Sequence, residues 1–284
     1  MSGPSEQWDL VAAGWEKWWR TIESGAQHVS NRLLDMAEVG PGQRVLDIAT
    51  GIGEPALLAA RRVGPAGRVV ATDMSSRMLD IARERAITLG LTNVEFVEAD
   101  AERLEFPDGS FDAILCRWGL DSLSNPSNAL AGIRRLLAPR GSFAASVWDV
   151  ASKPRATNVA IALAREMFHS APPQPETPSR PGLAKGALER TMTHVGYADV
   201  RAEKMEVRLE FPSIAAVTRY LVDVSPELAR LFSDQPSDRQ EEYLQRLAEA
   251  VRELVTIDGS VRVQSVTICA VGRRSATTGA KEPS

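Results

Sequence analysis

The sequence predicts an α/β fold: a seven-stranded, mostly parallel sheet with helices on both faces. Three observations predict it. Between Arg44 and Trp148, short apolar runs alternate with helix-length amphipathic segments, as parallel strands joined by right-handed crossovers require. The run Val45-Leu46-Asp47-Ile48-Ala49-Thr50-Gly51-Ile52-Gly53-Glu54 passes from an apolar strand into a glycine-rich turn and then a helix. A second apolar strand, Val69-Val70-Ala71-Thr72, ends on a lone acid, Asp73, 20 residues beyond Gly53.

The elements follow in order. Trp8 to Thr21 reads as an amphipathic helix with Trp8, Ala12, Trp15 and Trp19 near one face, and a second helix, about Ser30 to Glu38, stops at Gly40-Pro41-Gly42. Next come strand Arg44–Ala49, helix Glu54–Arg62, turn Gly64-Pro-Ala-Gly67 and strand Arg68–Thr72. Helix Ser76–Leu89 ends on Gly90, strand Val94–Glu98 follows, and strand Phe111–Arg117 leads to helix Asn128–Leu137 and strand Gly141–Trp148. Beyond Trp148 the alternation breaks. A helix near Asn158–Phe168 runs into the proline-rich Ala171–Pro181, and a helix Leu183–His194 ends at Gly196. Strand Val200–Phe211, two helices (about Ser213–Phe232 and Ser237–Thr256) and strand Val261–Val271 complete the fold, the two strands forming the edge hairpin of the sheet. The expected organisation is an N-terminal helical segment (1–40), a nucleoside-binding core (41–150), a helical lid with the edge strands (151–274) and a flexible tail (275–284).

Composition bounds the function. A chain of 284 residues, 44% hydrophobic, supports one large domain or one domain with a lid. No apolar run approaches the length of a membrane span, and Met1 to Gln7 lacks a signal-peptide layout. The formal charge of −4, with basic pairs scattered as Arg61-Arg62, Arg134-Arg135 and Arg273-Arg274, argues against a nucleic-acid partner. Two cysteines, Cys116 and Cys269, lie in apolar runs, so no disulfide is expected and a reducing cytoplasm fits. No Cys/His cluster has metal-ligand spacing.

The glycine turn and Asp73 point to a nucleoside-containing cofactor. Glycines let a ligand approach the backbone, and an acid closing the next strand accepts hydrogen bonds from ribose hydroxyls. Gly51-Ile-Gly53-Glu-Pro-Ala56 fits the dinucleotide fingerprint G-x-G-x-x-G/A. Asp47, just before the turn, and Glu54, read as lying in the helix's first turn, oppose a pyrophosphate at that helix N-terminus. A ligand with ribose hydroxyls, no phosphate and a positive charge satisfies every residue, and S-adenosylmethionine is such a ligand.

Trp8 to Trp148 resembles class I S-adenosylmethionine-dependent methyltransferases, in particular the ubiquinone/menaquinone-biosynthesis type and its small-molecule relatives. Asp47-Ile-Ala49-Thr50-Gly51-Ile-Gly53 matches that family's D/E-x-G-x-G-x-G motif, with Ala49 in place of the first glycine, where its methyl is expected to crowd the methionine tail slightly. Asp73 matches the ribose-binding acid and Met74 the apolar residue beside the adenine. Asp100 and Ala101, in Glu98-Ala99-Asp100-Ala101, correspond to residues that meet the adenine edge. Phe106-Pro-Asp-Gly-Ser-Phe111-Asp112-Ala-Ile-Leu-Cys116 resembles the fourth strand and its entry. Leu136-Leu-Ala-Pro139-Arg140-Gly141 resembles the L-x-P-G-G turn, with Gly141 left to make it. The resemblance implies a Rossmann-like fold and a transferase that releases S-adenosylhomocysteine.

Methyl transfer asks mainly that nucleophile, methyl carbon and sulfur be held in line and water excluded. Catalytic residues therefore leave a faint trace. His28, in the loop expected after the tryptophan helix, is a candidate general base, against a surface histidine at a helix entry. His169 is another, against an imidazolium at a helix C-terminus; His194 reads as structural. Arg117 and Trp118, at the carboxyl end of the fourth strand, are candidates for the cofactor's methionine end, and Asp121 for orienting an acceptor hydroxyl or amine. The tryptophan stripe reads as packing or as lining for an apolar acceptor. With Met167, Phe168, Phe211, Tyr220, Leu221 and Phe232 it points to a medium-sized apolar small molecule, methylated on oxygen or carbon in quinone or natural-product metabolism, by a monomer or homodimer. Three rivals stand beside this reading: a non-methylating reaction such as cyclisation in the same site, a non-catalytic sensor, and a nicotinamide-dependent oxidoreductase.

Overall fold

The structure, a computed structural model, describes residues 4–149, 155–168, 186–257 and 259–276. The chain opens with one helix, α1 (Pro4–Met36), where the sequence predicts two helices and a loop. The misleading residue is Gly25. A Cβ there would lie 2.1 Å from the Arg208 carbonyl oxygen, so this glycine admits a neighbouring backbone and does not break the helix. Gly14 does the same, its missing Cβ lying 2.0 Å from the Asp223 carbonyl oxygen.

The alternating region forms as read, with small shifts at the ends: β1 (Arg44–Ile48), α2 (Ala56–Val63), β2 (Arg68–Asp73), α3 (Ser76–Thr88), β3 (Val94–Glu98), β4 (Phe111–Arg117), α4 (Pro126–Leu136) and β5 (Leu137–Trp148). After these come α5 (Arg155–Met167), α6 (Ala187–His194), β6 (Ala198–Phe211), α7 (Ile214–Val224), α8 (Pro226–Ser233), α9 (Ser237–Ala250) and β7 (Val261–Arg273). The single helix expected over Ser213–Phe232 is two. Ser225 ends α7 and its side chain accepts the Leu228 N–H of α8, with Pro226 opening the new helix. The segment Ala171–Pro181 and the start of the helix expected at Leu183 lie outside the described residues.

The seven strands lie in the order β3-β2-β1-β4-β5-β7-β6. The first five are parallel, and β7 runs antiparallel to β5, pairing Trp148 with Thr267 and Ser142 with Arg273. The break from parallel to antiparallel falls where the βαβ rhythm of the sequence stops. Strand β5 starts earlier than expected because Leu137 already pairs with Phe111 across a bulge. Within it Arg140, not Gly141, takes the left-handed backbone (φ 66°). Gly141 is needed for space, since a Cβ there would meet the Ala138 and Asp112 carbonyl oxygens at 2.9 and 3.0 Å.

The chain divides into two compact units, one of Met1–Gln27, Val150–Pro181 and Glu206–Val266, the other of His28–Asp149, Gly182–Met205 and Thr267–Ser284. In the second, Leu46, Ile48, Ile114, Cys116, Phe143, Ala145, Ile268 and Ala270 join the inward residues of α4 and α6 in one apolar core. Their strand neighbours Asp47, Leu115, Arg117, Ala144 and Ser146 face the other side of the sheet and are also buried, as a doubly covered parallel sheet demands. Arginines distant in sequence meet at the end of α4: Arg274 Nη1 donates to the Arg135 and Leu137 carbonyl oxygens at 2.7 and 2.6 Å, closing off the helix's last acceptors.

In the first unit the tryptophans of α1 are tied into packing. Trp18 Nε1 donates to Asp223 Oδ2 at 2.9 Å, Trp15 Nε1 donates to the Val224 carbonyl at 3.2 Å, and the Trp18 ring meets Phe211 and Tyr220 edge-on. Lys17 and Arg219 also pair with Asp223, which neutralises this half-buried carboxylate. No helix among the described residues is long and apolar enough to cross a membrane.

Candidate active site

The carboxyl ends of β1, β2 and β4 gather most of the expected site residues. Asp47 is the next-to-last residue of β1, and its carboxylate is wholly buried. Its Oδ2 accepts from Thr50 Oγ1 at 2.6 Å and from the Ala56 N–H at 3.0 Å, so the side chain folds the glycine turn back onto the start of α2. Its Oδ1 is buried with no hydrogen-bond partner. Burial pushes the Asp47 carboxyl up to about 7. The Thr50 hydroxyl, the charge of Arg117 and the Ala56 N–H pull against that rise, and Glu54 adds to it.

A buried carboxylate oxygen lacking a donor is an unusual thing for a fold to keep, and a cationic ligand group supplies what it lacks. The turn leaves room for one. Gly51 has φ 56°, and a Cβ on it would meet nothing within 4 Å. Asp73 closes β2, its Oδ2 accepting the Gly51 N–H at 2.8 Å and its Oδ1 the Ser75 N–H at 2.9 Å. The acid thus ties both backbone turns together. These residues fit S-adenosylmethionine: a carboxylate for the ammonium, open glycine backbone for the chain, an acid for the ribose.

Thr50 spends its hydroxyl on the Asp47 carboxylate. Glu54 lies ahead of α2, after which a cis Glu54–Pro55 bond leads into the helix, and its carboxylate pairs with Arg85 at 3.0 Å. Ala49 adopts φ 55°, but its methyl points against Gly119, where a Cβ would sit 2.5 Å from it. Gly53 has φ 105° and rests on the Leu57 side chain. Met74 and Ala101 are half-buried, and Ala101 packs against the apolar core. Asp100 is exposed, and its Oδ1 accepts the Glu102 N–H at 2.9 Å.

At the end of β4, Arg117 is buried and donates through Nη1 to Ser30 Oγ of α1 at 2.8 Å, with its guanidinium 4.8 Å from the centre of the Trp118 ring. Trp118 holds a left-handed backbone (φ 64°), rare for so large a residue. Three contacts hold it there. Its N–H donates to the Ser146 carbonyl at 2.8 Å, its Nε1 to Thr267 Oγ1 at 3.0 Å, and its ring stacks on Trp148 at 4.3 Å. Asp121, in the 3-10 turn Gly119–Ser122, accepts the Trp148 N–H at 3.0 Å.

Of the other catalytic candidates, His28 is an exposed residue within α1 and stands in no loop; His169 lies outside the described residues. Cys116 is fully buried, and burial pushes its thiol far above the ordinary range, so it is no nucleophile. Ser30, Ser146, Trp148 and Gly119 were not foreseen as site residues. Each reads in sequence as ordinary helix, strand or turn, and only the fold sets Ser30 on Arg117, Ser146 and Trp148 on Trp118, and Gly119 on Ala49.

A family model described as "Methyltransferase domain" matches residues 45–141. A ubiquinone/menaquinone biosynthesis C-methyltransferase from Pseudomonas savastanoi pv. phaseolicola is 37% identical over 134 residues, covering 47% of this chain and 48% of the relative. The chain therefore spans about half the length of such curated relatives. A shorter protein with the same description from Ectopseudomonas oleovorans is 37% identical over 139 residues, 48% of this chain and 82% of the relative. The crystal structure of the YcgJ protein from Bacillus subtilis superposes with a TM-score of 0.58 at 20% identity, over 88% of this chain and 99% of that one, which shows the shared fold. With the motif residues, the sheet order and these relatives in agreement, the chain belongs to the class I S-adenosylmethionine-dependent methyltransferases of the ubiquinone/menaquinone-biosynthesis type.

Proposed function

We propose that this protein transfers a methyl group from S-adenosylmethionine to an oxygen or carbon nucleophile of a medium-sized apolar small molecule. The observation that carries the reading is the buried, donorless Asp47 Oδ1 beside the open Gly51 backbone, with Asp73 across the turn. When bound, S-adenosylmethionine supplies a methyl group already activated by its sulfonium. The chain's own task is then placement. Asp47 holds the ammonium, Gly51 leaves the backbone open, Gly53 seats the turn against Leu57, Asp73 receives the ribose hydroxyls, and Met74, Asp100 and Ala101 border the adenine. Arg117 and Trp118 border the methionine end, and Asp121, anchored on the Trp148 N–H, orients the acceptor's polar group. The exposed setting of His28 favours Asp121 over it as the residue that meets the acceptor's polar group.

The acceptor class draws on the relatives, which are described as acting in ubiquinone and menaquinone biosynthesis. Reduced benzoquinones and naphthoquinones are the first acceptors to test, with simple phenols beside them. The reading expects radiolabel from the methyl of S-adenosylmethionine in an extractable product, with one equivalent of S-adenosylhomocysteine released. Acceptor consumed with no S-adenosylhomocysteine released would identify a non-methylating reaction instead.

A further inference from the structure

Gly119 is the one glycine of the site whose reason lies wholly in a neighbour's side chain. It has no left-handed backbone to explain it. A Cβ built on it would stand 2.5 Å from the Ala49 Cβ and 2.9 Å from the Cys116 Sγ, far inside contact distance. Ala49 does hold a left-handed backbone (φ 55°), a conformation glycine takes freely and alanine resists. The alanine is thus kept in a conformation that disfavours it, with its methyl filling the notch that Gly119 leaves.

Neither side of this contact has room to retreat. On the cofactor side, the Thr50 N–H is bonded to the Thr72 carbonyl at 2.9 Å and Asp47 ties the turn to α2. On the other side, Trp118 is fixed through its N–H, its indole Nε1 and its stack on Trp148. The methyl of Ala49 is the point at which the glycine turn bears on the Trp118–Asp121 turn.

We propose that Ala49 and Gly119 are a matched pair of positioning residues whose contact sets the cofactor turn against the acceptor-side turn. The proposal rests on the cofactor reading above and deepens it. A methyl added at Gly119 must displace one turn by roughly an ångström, and misplacement on that scale weakens positioned binding by about tenfold or more. Removing the methyl of Ala49 vacates the same space. The two substitutions must therefore compensate one another, though the Cys116 sulfur keeps the compensation partial.

The test is a double-mutant cycle over the wild type, Gly119→Ala, Ala49→Gly and the double variant. S-adenosylhomocysteine affinity is read by calorimetry and Tm by thermal unfolding. The pair predicts that Gly119→Ala binds at least about tenfold more weakly and that Ala49→Gly in the same chain recovers at least half of the loss on a logarithmic scale. If Gly119→Ala alone does not fold, the double variant must fold and bind within about tenfold of wild type. Additive losses, a double variant that also fails to fold, or recovery of Tm with no recovery of affinity would each overturn the proposal. If the wild type itself does not bind S-adenosylhomocysteine, the cofactor reading falls and the proposal falls with it; binding by the wild type with an additive cycle removes the proposal alone.

Discussion

At the scale of single residues, Asp47 is the buried carboxyl from which the sharpest predictions come. Its carboxyl, pushed up to about 7 by burial, binds a proton in the folded chain over a range where the unfolded chain, near the ordinary carboxylate value, has lost it. The folded state then holds more protons, so stability of the unliganded protein falls as pH rises from about 4 to about 7. Asp47→Asn should flatten that slope in urea unfolding followed across the range. Ligand binding has the opposite sign. A cationic ligand selects the ionised carboxylate, so S-adenosylhomocysteine affinity should rise with pH through about 7, and Asp47→Asn should lower affinity and abolish the dependence. Thr50→Val removes a hydroxyl that stabilises the ionised form, so the midpoint of the same affinity profile should move to higher pH. Asp73→Ala removes the acceptor for the Gly51 and Ser75 N–H groups as well as for ribose, and should weaken S-adenosylhomocysteine at least tenfold, about 1.4 kcal/mol, by calorimetry. The places of Asp47, Gly51 and Asp73 were legible because each belongs to a local turn that the sequence spells out. The partner of Ala49 was not, because Gly119 lies on another strand's turn and the contact exists only once β1 and β4 pair.

Among the elements, α1 shows how local signals mislead. The run Ser24-Gly25-Ala26-Gln27 reads as a break because glycine weakens a helix interior by about 1 kcal/mol relative to alanine. The helix continues because Gly14 and Gly25 let the Asp223 and Arg208 carbonyls come within a distance no Cβ allows. The two views give opposite signs for one substitution. Helix propensity alone makes Gly14→Ala stabilising, whereas the 2.0 Å approach makes it destabilising by about 2 kcal/mol or more, measured by urea unfolding. Strands β1, β2 and β4 were readable because they are largely buried on both faces and show as short apolar runs bounded by turn residues, whereas the edge strand β3, with no buried residue, was readable from its place in the alternation. The division between α7 and α8 at Ser225 was carried by Pro226 itself, a residue that opens helices as readily as it ends them.

At the scale of the molecule, the sheet order follows from the chain's own rhythm: five parallel strands while β and α alternate, then an antiparallel β7 once they cease. That order places the ends of β1 and β4 side by side, so a turn built for a cationic nucleoside and a turn carrying Arg117, Trp118 and Asp121 come together. The sequence spoke clearly about the cofactor because backbone geometry recognises it. It spoke faintly about the acceptor because methyl transfer leaves no obligatory catalytic group to find. The cofactor is therefore the point to test first, by titrating the purified protein calorimetrically with S-adenosylhomocysteine and, separately, with NADH. An S-adenosylmethionine site requires micromolar, one-to-one binding of the first and none of the second. Binding of NADH, or no binding of S-adenosylhomocysteine, would contradict it.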